Sequence, residues 1–292
     1  MTDVIAVIAA GEMGSGIGRR LTERGARVLT SLHGRSPASA ARAQDAGMVP
    51  AEDADLVAQA AFILSVVPPG EATALAERLK PSLMRAAQHP IYIDCNAVAP
   101  QTAQRIGTVL TGTHCRYVDG GIIGGPPAGT YSPNLYVAGE AAAEALRLTR
   151  YGLNVRLVDG PIGAASALKM SYAGITKGFT AIGTAMMLGS LRAGCDGALR
   201  RELFESQPQL AAWLTRQVPR MFPKAYRWIA EMEEIAQFLS DDEASRDMYT
   251  GIAQLYERMA AGFAKTGPEA ERELAALRAF CADAPEKLSK TG

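Results

Sequence analysis

The first 158 residues alternate short apolar runs with longer amphipathic stretches. The apolar runs are rich in β-branched residues and bounded by Gly, Pro or Asp, which predicts strands. Apolar positions at helical spacing between them predict helices. The predicted strands cover 4–9, 27–31, 62–67, 91–94, 116–120, 134–138 and 154–158, and the predicted helices cover 12–23, 37–45, 71–79, 100–110 and 140–151. Strands that alternate with helices indicate a parallel sheet covered on both faces.

The strand pattern stops after residue 160. A long helix is predicted over 164–191, and the residues after Arg200 are helical in pattern. Prolines are expected to break that helical region at Pro208, Pro219, Pro223 and Pro268. A chain of 292 residues exceeds what one core usually organises. We therefore expect an α/β domain over 1–160 and an all-α domain over 161–292, joined by a long interdomain helix.

The amino-acid composition argues against several classes of function. The 30 Lys and Arg residues balance the 30 Asp and Glu residues, which argues against nucleic acid or an anionic membrane as a partner. The four cysteines are scattered and there are three histidines, so we expect no metal site and a cytoplasmic location. The N-terminal apolar run is too short for a signal peptide. Lys169 and Lys177 interrupt the apolar run after Gly160 that would otherwise suggest a membrane span, so we expect a helix that is buried in protein.

A glycine-rich turn follows the first predicted strand. Compared with the dinucleotide fingerprint GxGxxG, Ala9 replaces the first glycine, while Gly11 and Gly14 are in position. Gly11 would let the backbone approach a pyrophosphate, and Gly14 would let the helix pack on the strand. Glycine-rich turns also occur without a ligand, but this position predicts a dinucleotide site. We assign Ala10, Gly11, Glu12, Met13 and Gly14 to it.

The end of the second predicted strand indicates which dinucleotide is bound. NAD sites place Asp or Glu there for the ribose 2′-OH, whereas the segment 31–36, SLHGRS, has no carboxylate. Arg35 can pair with a 2′-phosphate, and His33 and Ser36 can add hydrogen bonds. The other interpretation is an Arg on a solvated loop. NADP is the favoured cofactor, and its predicted site also includes Gly34 here and Val66, Val67 and Pro68 at the end of the third predicted strand.

Lys169 and Lys177 are the charged residues between Gly160 and Leu191. A lysine in a run of apolar and small residues is expected to be buried, and burial favours the neutral amine. Such a lysine can exchange protons near neutral pH. Tyr172 shares the helix face of Lys169 and is its candidate catalytic partner. The alternative is that Lys169 extends its amine to the surface.

These motifs together resemble those of the β-hydroxyacid dehydrogenases, which include 3-hydroxyisobutyrate dehydrogenase and the NAD-binding half of 6-phosphogluconate dehydrogenase. The resemblance covers about 4–178. The motif GLGxMG corresponds to AAGEMG at 9–14, and D-x-S-T corresponds to DCNA at 94–97. The motif DAPVSGG corresponds to DGGIIGG at 119–125, and GxGxxxKxxNN corresponds to 163–173, with Lys169 at the lysine position.

The resemblance implies a Rossmann domain, a long interdomain helix, a helical C-terminal domain and a homodimer. It implies that Lys169 gives or takes a proton while hydride moves to or from the nicotinamide, with Asn96 nearby. It assigns Ile123, Gly124 and Gly125 to the substrate loop. Ile123 stands where the family has Ser, and Tyr172-Ala173 stands where it has Asn-Asn. These exchanges favour a bulkier or more apolar carbonyl substrate.

The predicted C-terminal domain carries the segment 226–235, YRWIAEMEEI. Arg227, Glu231 and Glu234 share one helix face. Arg227 and Glu231 either form a surface ion pair or receive an anionic group of the substrate, and we keep both as substrate candidates.

The sequence thus predicts an NADP(H)-dependent oxidoreductase for a carbonyl/alcohol pair of a small-molecule substrate, with Lys169 as general acid/base. Two alternatives remain: an imine reductase, against which Lys169 argues, and a non-catalytic NADP(H) sensor. Decarboxylation coupled to oxidation is not excluded.

Overall fold

The computed structural model describes residues 3–264 and 268–282. The chain forms two compact units, Met1–Met170 and Ser171–Gly292. The sequence pattern places its domain boundary at residue 160, before the long helix, whereas the contacts divide the chain within that helix. Residues 265–267 and 283–292 of the predicted second domain lie outside the described residues.

The first unit is built on one eight-stranded sheet. Its strands are β1 (Val4–Ile8), β2 (Arg27–Thr30), β3 (Val49–Pro50), β4 (Phe62–Ser65), β5 (Ile91–Asp94), β6 (Arg116–Ile123), β7 (Asn134–Ala138) and β8 (Asn154–Leu157). The strand order is β3-β2-β1-β4-β5-β6-β7-β8. The strands from β1 to β6 pair in parallel, β7 is antiparallel to β6, and β8 is parallel to β7. The sheet is therefore mixed, and β3 is the strand that the sequence pattern missed.

Helices separate the strands, as the pattern predicts for all of them except the one at Asp53–Gln59. They are α1 (Glu12–Glu23), α2 (Pro37–Asp45), α3 (Asp53–Gln59), α4 (Ala72–Arg85), α5 (Pro100–Val109) and a 3₁₀ segment (Ala142–Tyr151). Successive residues of β1 alternate between two apolar clusters: Ile5 and Val7 belong to one, and Ala6 and Ile8 to the other. Because helices bury both faces, the strands read as nearly continuous apolar runs.

The remaining helices are α6 (Ala164–Arg192), α7 (Asp196–Ser206), α8 (Pro208–Met221), α9 (Ala225–Phe238), α10 (Glu243–Ala264) and α11 (Pro268–Cys281). Pro208 and Pro268 each begin a helix, where the missing N–H costs no hydrogen bond. Pro219 does not break α8 and lies in its last turn instead. Pro223 lies in the 3₁₀ turn Phe222–Lys224 between α8 and α9.

Glycines in α6 serve the packing of the helical unit. A side chain at Gly174 would begin 2.9 Å from the hydroxyl oxygen of Tyr249 on α10, and one at Gly178 would begin 3.3 Å from it. The expectation that the apolar run of α6 is buried all round is wrong. Its large apolar side chains at 172, 175, 179, 182 and 186 are each at least half exposed. The buried face of α6 combines small residues and threonines, such as Ala181 and Thr184, with Met170, Met187 and Leu188.

Candidate functional site

The glycine turn between β1 and α1 leaves room for a ligand at its first glycine. Gly11 is the N-cap residue of α1, and a side chain there would meet nothing within 4 Å. Gly11 supplies no side-chain acceptor to the first turn of α1, and the N-terminus of a helix favours an anion. A side chain at Gly14 would collide with the backbone oxygen of Ala9. The two glycines therefore serve different needs, ligand approach at Gly11 and helix–strand packing at Gly14.

The loop after β2 carries the predicted 2′-phosphate residues. Gly34 adopts a φ of +67°, which reverses the chain before Arg35. Arg35 Nη2 donates to Glu71 Oε2 at 2.7 Å. The Ser36 hydroxyl accepts from the backbone N–H of Ser39 at 3.3 Å and so caps α2. Ser36 therefore has a structural role in this loop besides its predicted one.

His33 is exposed and borders a cavity of about 490 Å³ beside the same loop. The cavity lining is Ser31, Leu32, His33, Pro50, Ala51, Glu52 and Asp55. The lining adjoins the ends of β2 and β3, next to Arg35.

Arg42 is a residue that the sequence analysis missed. Its Nε donates to the backbone oxygen of Ala10 at 3.0 Å, and its Nη2 donates to the Ser39 hydroxyl at 2.9 Å. These contacts tie α2 to the glycine turn and bring a second guanidinium beside the predicted phosphate site. The signal in the sequence was the helical spacing of Ser36, Ser39 and Arg42, which aligns them on one face of α2.

Asn96 organises the ends of β4 and β5. Its Oδ1 accepts from the backbone N–H of Val67 at 2.6 Å, and its Nδ2 donates to Ser65 Oγ at 2.8 Å and to Asp94. The residue is 3 % exposed. These bonds shape the segment that contains Val66 and Val67, so any effect of the Asn96 side chain on a cofactor acts through that segment.

Asp119 fixes the start of α6. Its Oδ2 accepts from the backbone N–H groups of Gly163, Ala165 and Ser166 at 2.9–3.1 Å, and its Oδ1 accepts from Ser166 Oγ at 2.5 Å. Burial raises the pKa of Asp119, and the Ser166 hydroxyl and the three backbone donors oppose that rise. Asp119 therefore caps a helix from a distant part of the chain.

This cap places Lys169 beside β6. A side chain at Gly121 would begin 3.0 Å from both the Ala165 backbone oxygen and Lys169 Cβ. The glycine therefore permits close contact between the strand and the second turn of α6. Lys169 itself is partly exposed. The structure thus holds Lys169 next to the motif 119–125, and the expectation that Lys169 is fully buried is wrong.

The end of β6 leads into the predicted substrate loop. Gly124 has a φ of +132°, and the backbone N–H of Gly125 donates to the Tyr131 hydroxyl at 3.2 Å. Ile123 is partly buried and pairs with Asn134 of β7. The loop therefore presents backbone and apolar groups.

In the helical unit, Glu231 is 7 % exposed and forms an ion pair with Lys177 of α6. Lys177 Nζ also lies 5.0 Å from the ring centre of Trp228, and the Tyr256 hydroxyl donates to the Lys177 backbone oxygen at 2.6 Å. Arg227 is exposed, with its guanidinium 5.7 Å from the ring of Tyr226. Glu231 therefore stabilises the helical unit. Its contact with Lys177, 54 positions away in the chain, has no signal in the local sequence pattern.

No group of three or more metal-ligating side chains occurs among the described residues. Within the same part of the chain, no helix has the length and apolar character needed to cross a bilayer. Tyr172 is half exposed on α6, in the second unit.

Two parts of the chain match known protein families. Residues 4–149 match the NAD binding domain of 6-phosphogluconate dehydrogenase, and residues 191–259 match a domain of unknown function, DUF1932. A search of curated proteins finds no match.

Solved structures share the fold over nearly the whole chain. Conserved protein MTH1747, of unknown function and described as similar to 3-hydroxyacid dehydrogenases, is 25% identical, with coverage of 93% of this chain and 99% of that one and a TM-score of 0.69. Mycobacterium tuberculosis 3-hydroxyisobutyrate dehydrogenase, solved with L-serine, is 15% identical, with coverage of 96% and 99% and a TM-score of 0.73. A Myxococcus stipitatus imine reductase variant, solved with NAD+, is 18% identical, with coverage of 96% and 99% and a TM-score of 0.53.

Proposed function

Because this chain belongs to the β-hydroxyacid dehydrogenase superfamily, we propose that it is an NADP(H)-dependent oxidoreductase. The membership rests on residues 4–149, which match the NAD binding domain of 6-phosphogluconate dehydrogenase. It interconverts a carbonyl compound and an alcohol. The observation that carries this proposal is the lysine held beside β6 in the same unit as an open glycine turn.

The choice of NADP rests on two guanidinium groups. Arg35 ends the loop after β2, and Arg42 lies against the glycine turn. Guanidinium groups bind phosphate in a bidentate manner. Segment 31–36 has no carboxylate to accept from a ribose 2′-OH.

Lys169 carries the proton in this mechanism. The bound nicotinamide would supply or accept the hydride. In reduction, the Lys169 ammonium gives its proton to the carbonyl oxygen, and in oxidation the neutral amine takes the proton of the hydroxyl. Asp119 acts as a positioning residue, since it holds the helix turn that bears Lys169.

The substrate is a carbonyl compound that is bulkier or more apolar than a small hydroxy acid. Ile123 stands where the resemblance places a serine, and it offers apolar contact instead of a hydroxyl group. An imine reductase is the second candidate, supported by the fold shared with the Myxococcus stipitatus enzyme. A proton-donating lysine fits a carbonyl oxygen better, so we place this candidate second.

The test is a screen of aldehydes, ketones, keto acids and cyclic imines with NADPH and with NADH. We expect turnover of a ketone or aldehyde with NADPH, and we expect Arg35→Asp to lower the preference for NADPH over NADH by about tenfold to a hundredfold, as loss of a charged phosphate contact implies. Turnover of imines alone would favour the second candidate. Cofactor binding without turnover across the screen would indicate a sensor and contradict the proposal.

We also propose that the protein is a homodimer in which α6 contacts a second copy. The exposed large apolar positions of α6 are 168, 172, 175, 179, 182 and 186, which follow the 3- and 4-residue spacing of a helix–helix seam. A stripe of this length without charge is typical of an interface. The proposed location is the cytoplasm, as expected for a chain with four free cysteines.

The oligomer is tested by light scattering coupled to gel filtration. We expect twice the mass of the chain for the wild type and a single-chain mass for Phe179→Glu combined with Ile182→Glu. Met248→Glu is the control, since Met248 is a half-exposed apolar residue on α10, outside the stripe. A single-chain mass for the wild type would contradict the dimer.

A further inference from the structure

An ion pair joins the two loops that flank the glycine turn. Arg35 follows β2, and Glu71 ends the 3₁₀ turn Pro69–Glu71 that follows β4. β2 and β4 are the two neighbours of β1 in the sheet. The carboxyl ends of parallel strands meet at one edge, so the pair connects the loops on either side of the turn after β1.

The crevice between these loops is where an open α/β sheet binds its ligand. The chain order reverses at β1, since β2 lies on one side and β4 on the other. Ligands of such sheets occupy the crevice at this reversal, outside the carboxyl ends of the strands. The Arg35–Glu71 pair therefore lies at the rim of the proposed cofactor site.

The charges in this pair favour the two nicotinamide cofactors differently. The Arg35 side chain is 19% exposed and that of Glu71 is 48% exposed. A 2′-phosphate bound by Arg35 would bring its negative charge beside the Glu71 carboxylate, which is unfavourable. A ribose 2′-OH carries no charge and can donate to a carboxylate.

We infer that Glu71 competes with the cofactor's 2′-phosphate for Arg35 and thereby limits the preference of this protein for NADP over NAD. The inference rests on the proposed function, because it takes Arg35 as the 2′-phosphate ligand. It makes Glu71 a specificity residue that lies 36 residues beyond its partner, outside the segment after β2. A prediction made from segment 31–36 alone therefore overestimates the preference for NADP over NAD.

The test compares the binding of 2′,5′-ADP and 5′-AMP by calorimetry, because these probes differ only in the 2′-phosphate. We expect Glu71→Gln to strengthen the binding of 2′,5′-ADP by about threefold to tenfold, within the range of partly exposed charge pairs. The binding of 5′-AMP is expected to stay the same or weaken. Glu77→Gln is the matched control, since Glu77 is exposed on α4 and loses the same charge. We expect less than a twofold change in this control.

A third variant tests the proposed NADP site and the proposed competition by Glu71 separately. In the Arg35→Ala background, Glu71→Gln should lose most of its effect on 2′,5′-ADP, because the competition requires the guanidinium and only the direct repulsion between Glu71 and the 2′-phosphate remains. If the wild type bound 2′,5′-ADP no better than 5′-AMP and Arg35→Ala changed nothing, the proposed NADP site would fall. If the Arg35-dependent preference held but Glu71→Gln matched Glu77→Gln, the competition alone would be overturned.

Discussion

Lys169→Met is expected to lower kcat with NADPH by about 10²-fold to 10⁴-fold, the usual contribution of a general acid. Methionine keeps the length and apolar stem of lysine but has no proton to give. The cap at Asp119 and the contact of residue 169 with Gly121 do not involve the amine, so the helix should keep its place. The Kd for NADPH, measured by fluorescence titration, should therefore change little.

Lys224→Met is the control for Lys169→Met, since Lys224 is an exposed lysine in the turn before α9. We expect this control to retain full activity. A Lys169→Met enzyme with unchanged kcat would remove the lysine from the mechanism. A decrease seen equally in kcat and in NADPH affinity would point to a binding role instead.

Lys177→Met is expected to destabilise the helical unit by about 3–5 kcal/mol, because it leaves the Glu231 carboxylate buried without its cation. The side chains of Lys177 and Glu231 are only 17% and 9% exposed, so water screens the pair little. The variant also loses the contact between the ammonium and the Trp228 ring. Urea unfolding, followed by the fluorescence of the two tryptophans, measures the change in the free energy of unfolding.

The double variant Lys177→Met with Glu231→Gln is the control for that experiment. It removes both charges, and we expect it to recover a large part of the lost stability. A single variant as stable as the wild type would show that the ion pair contributes nothing. A double variant no more stable than the single one would indicate that packing around Trp228, and not charge, accounts for the loss.

The sequence predicted most of the fold because its signals are local. The helices α1 and α2 begin and end at the predicted residues, since a glycine N-cap and a proline at the first helical position mark their starts. The strand β3 and the helix α3 were missed. β3 has only two residues, Val49 and Pro50, and is exposed, so no period-2 pattern is present. The reversal at β7 also has no local signal, because parallel and antiparallel strands share the same residue preferences.

The candidate site was predicted where a motif has fixed spacing, as at Gly11, Gly14 and Lys169. Contacts between distant residues were not predicted. Arg42 reaches Ala10 across 32 positions, and Lys177 reaches Glu231 across 54. Such contacts depend on how elements pack, and periodicity within one helix does not encode that. The same limit explains why Glu71 was missed and why the exposed side of α6 was expected to be buried.

The Asp119 cap also decides which length changes this chain can accept. The carboxylate accepts hydrogen bonds from the backbone N–H groups of Gly163, Ala165 and Ser166. These residues, and not the end of β8, therefore set the rotation of α6 about its own axis. Extra residues in the link 158–162 would loop out and leave Lys169 where it is. One extra residue between Ser166 and Lys169 would turn the amine by about 100° and carry it away from β6. The link 158–162 can therefore change in length, whereas the number of residues between Ser166 and Lys169 must stay the same.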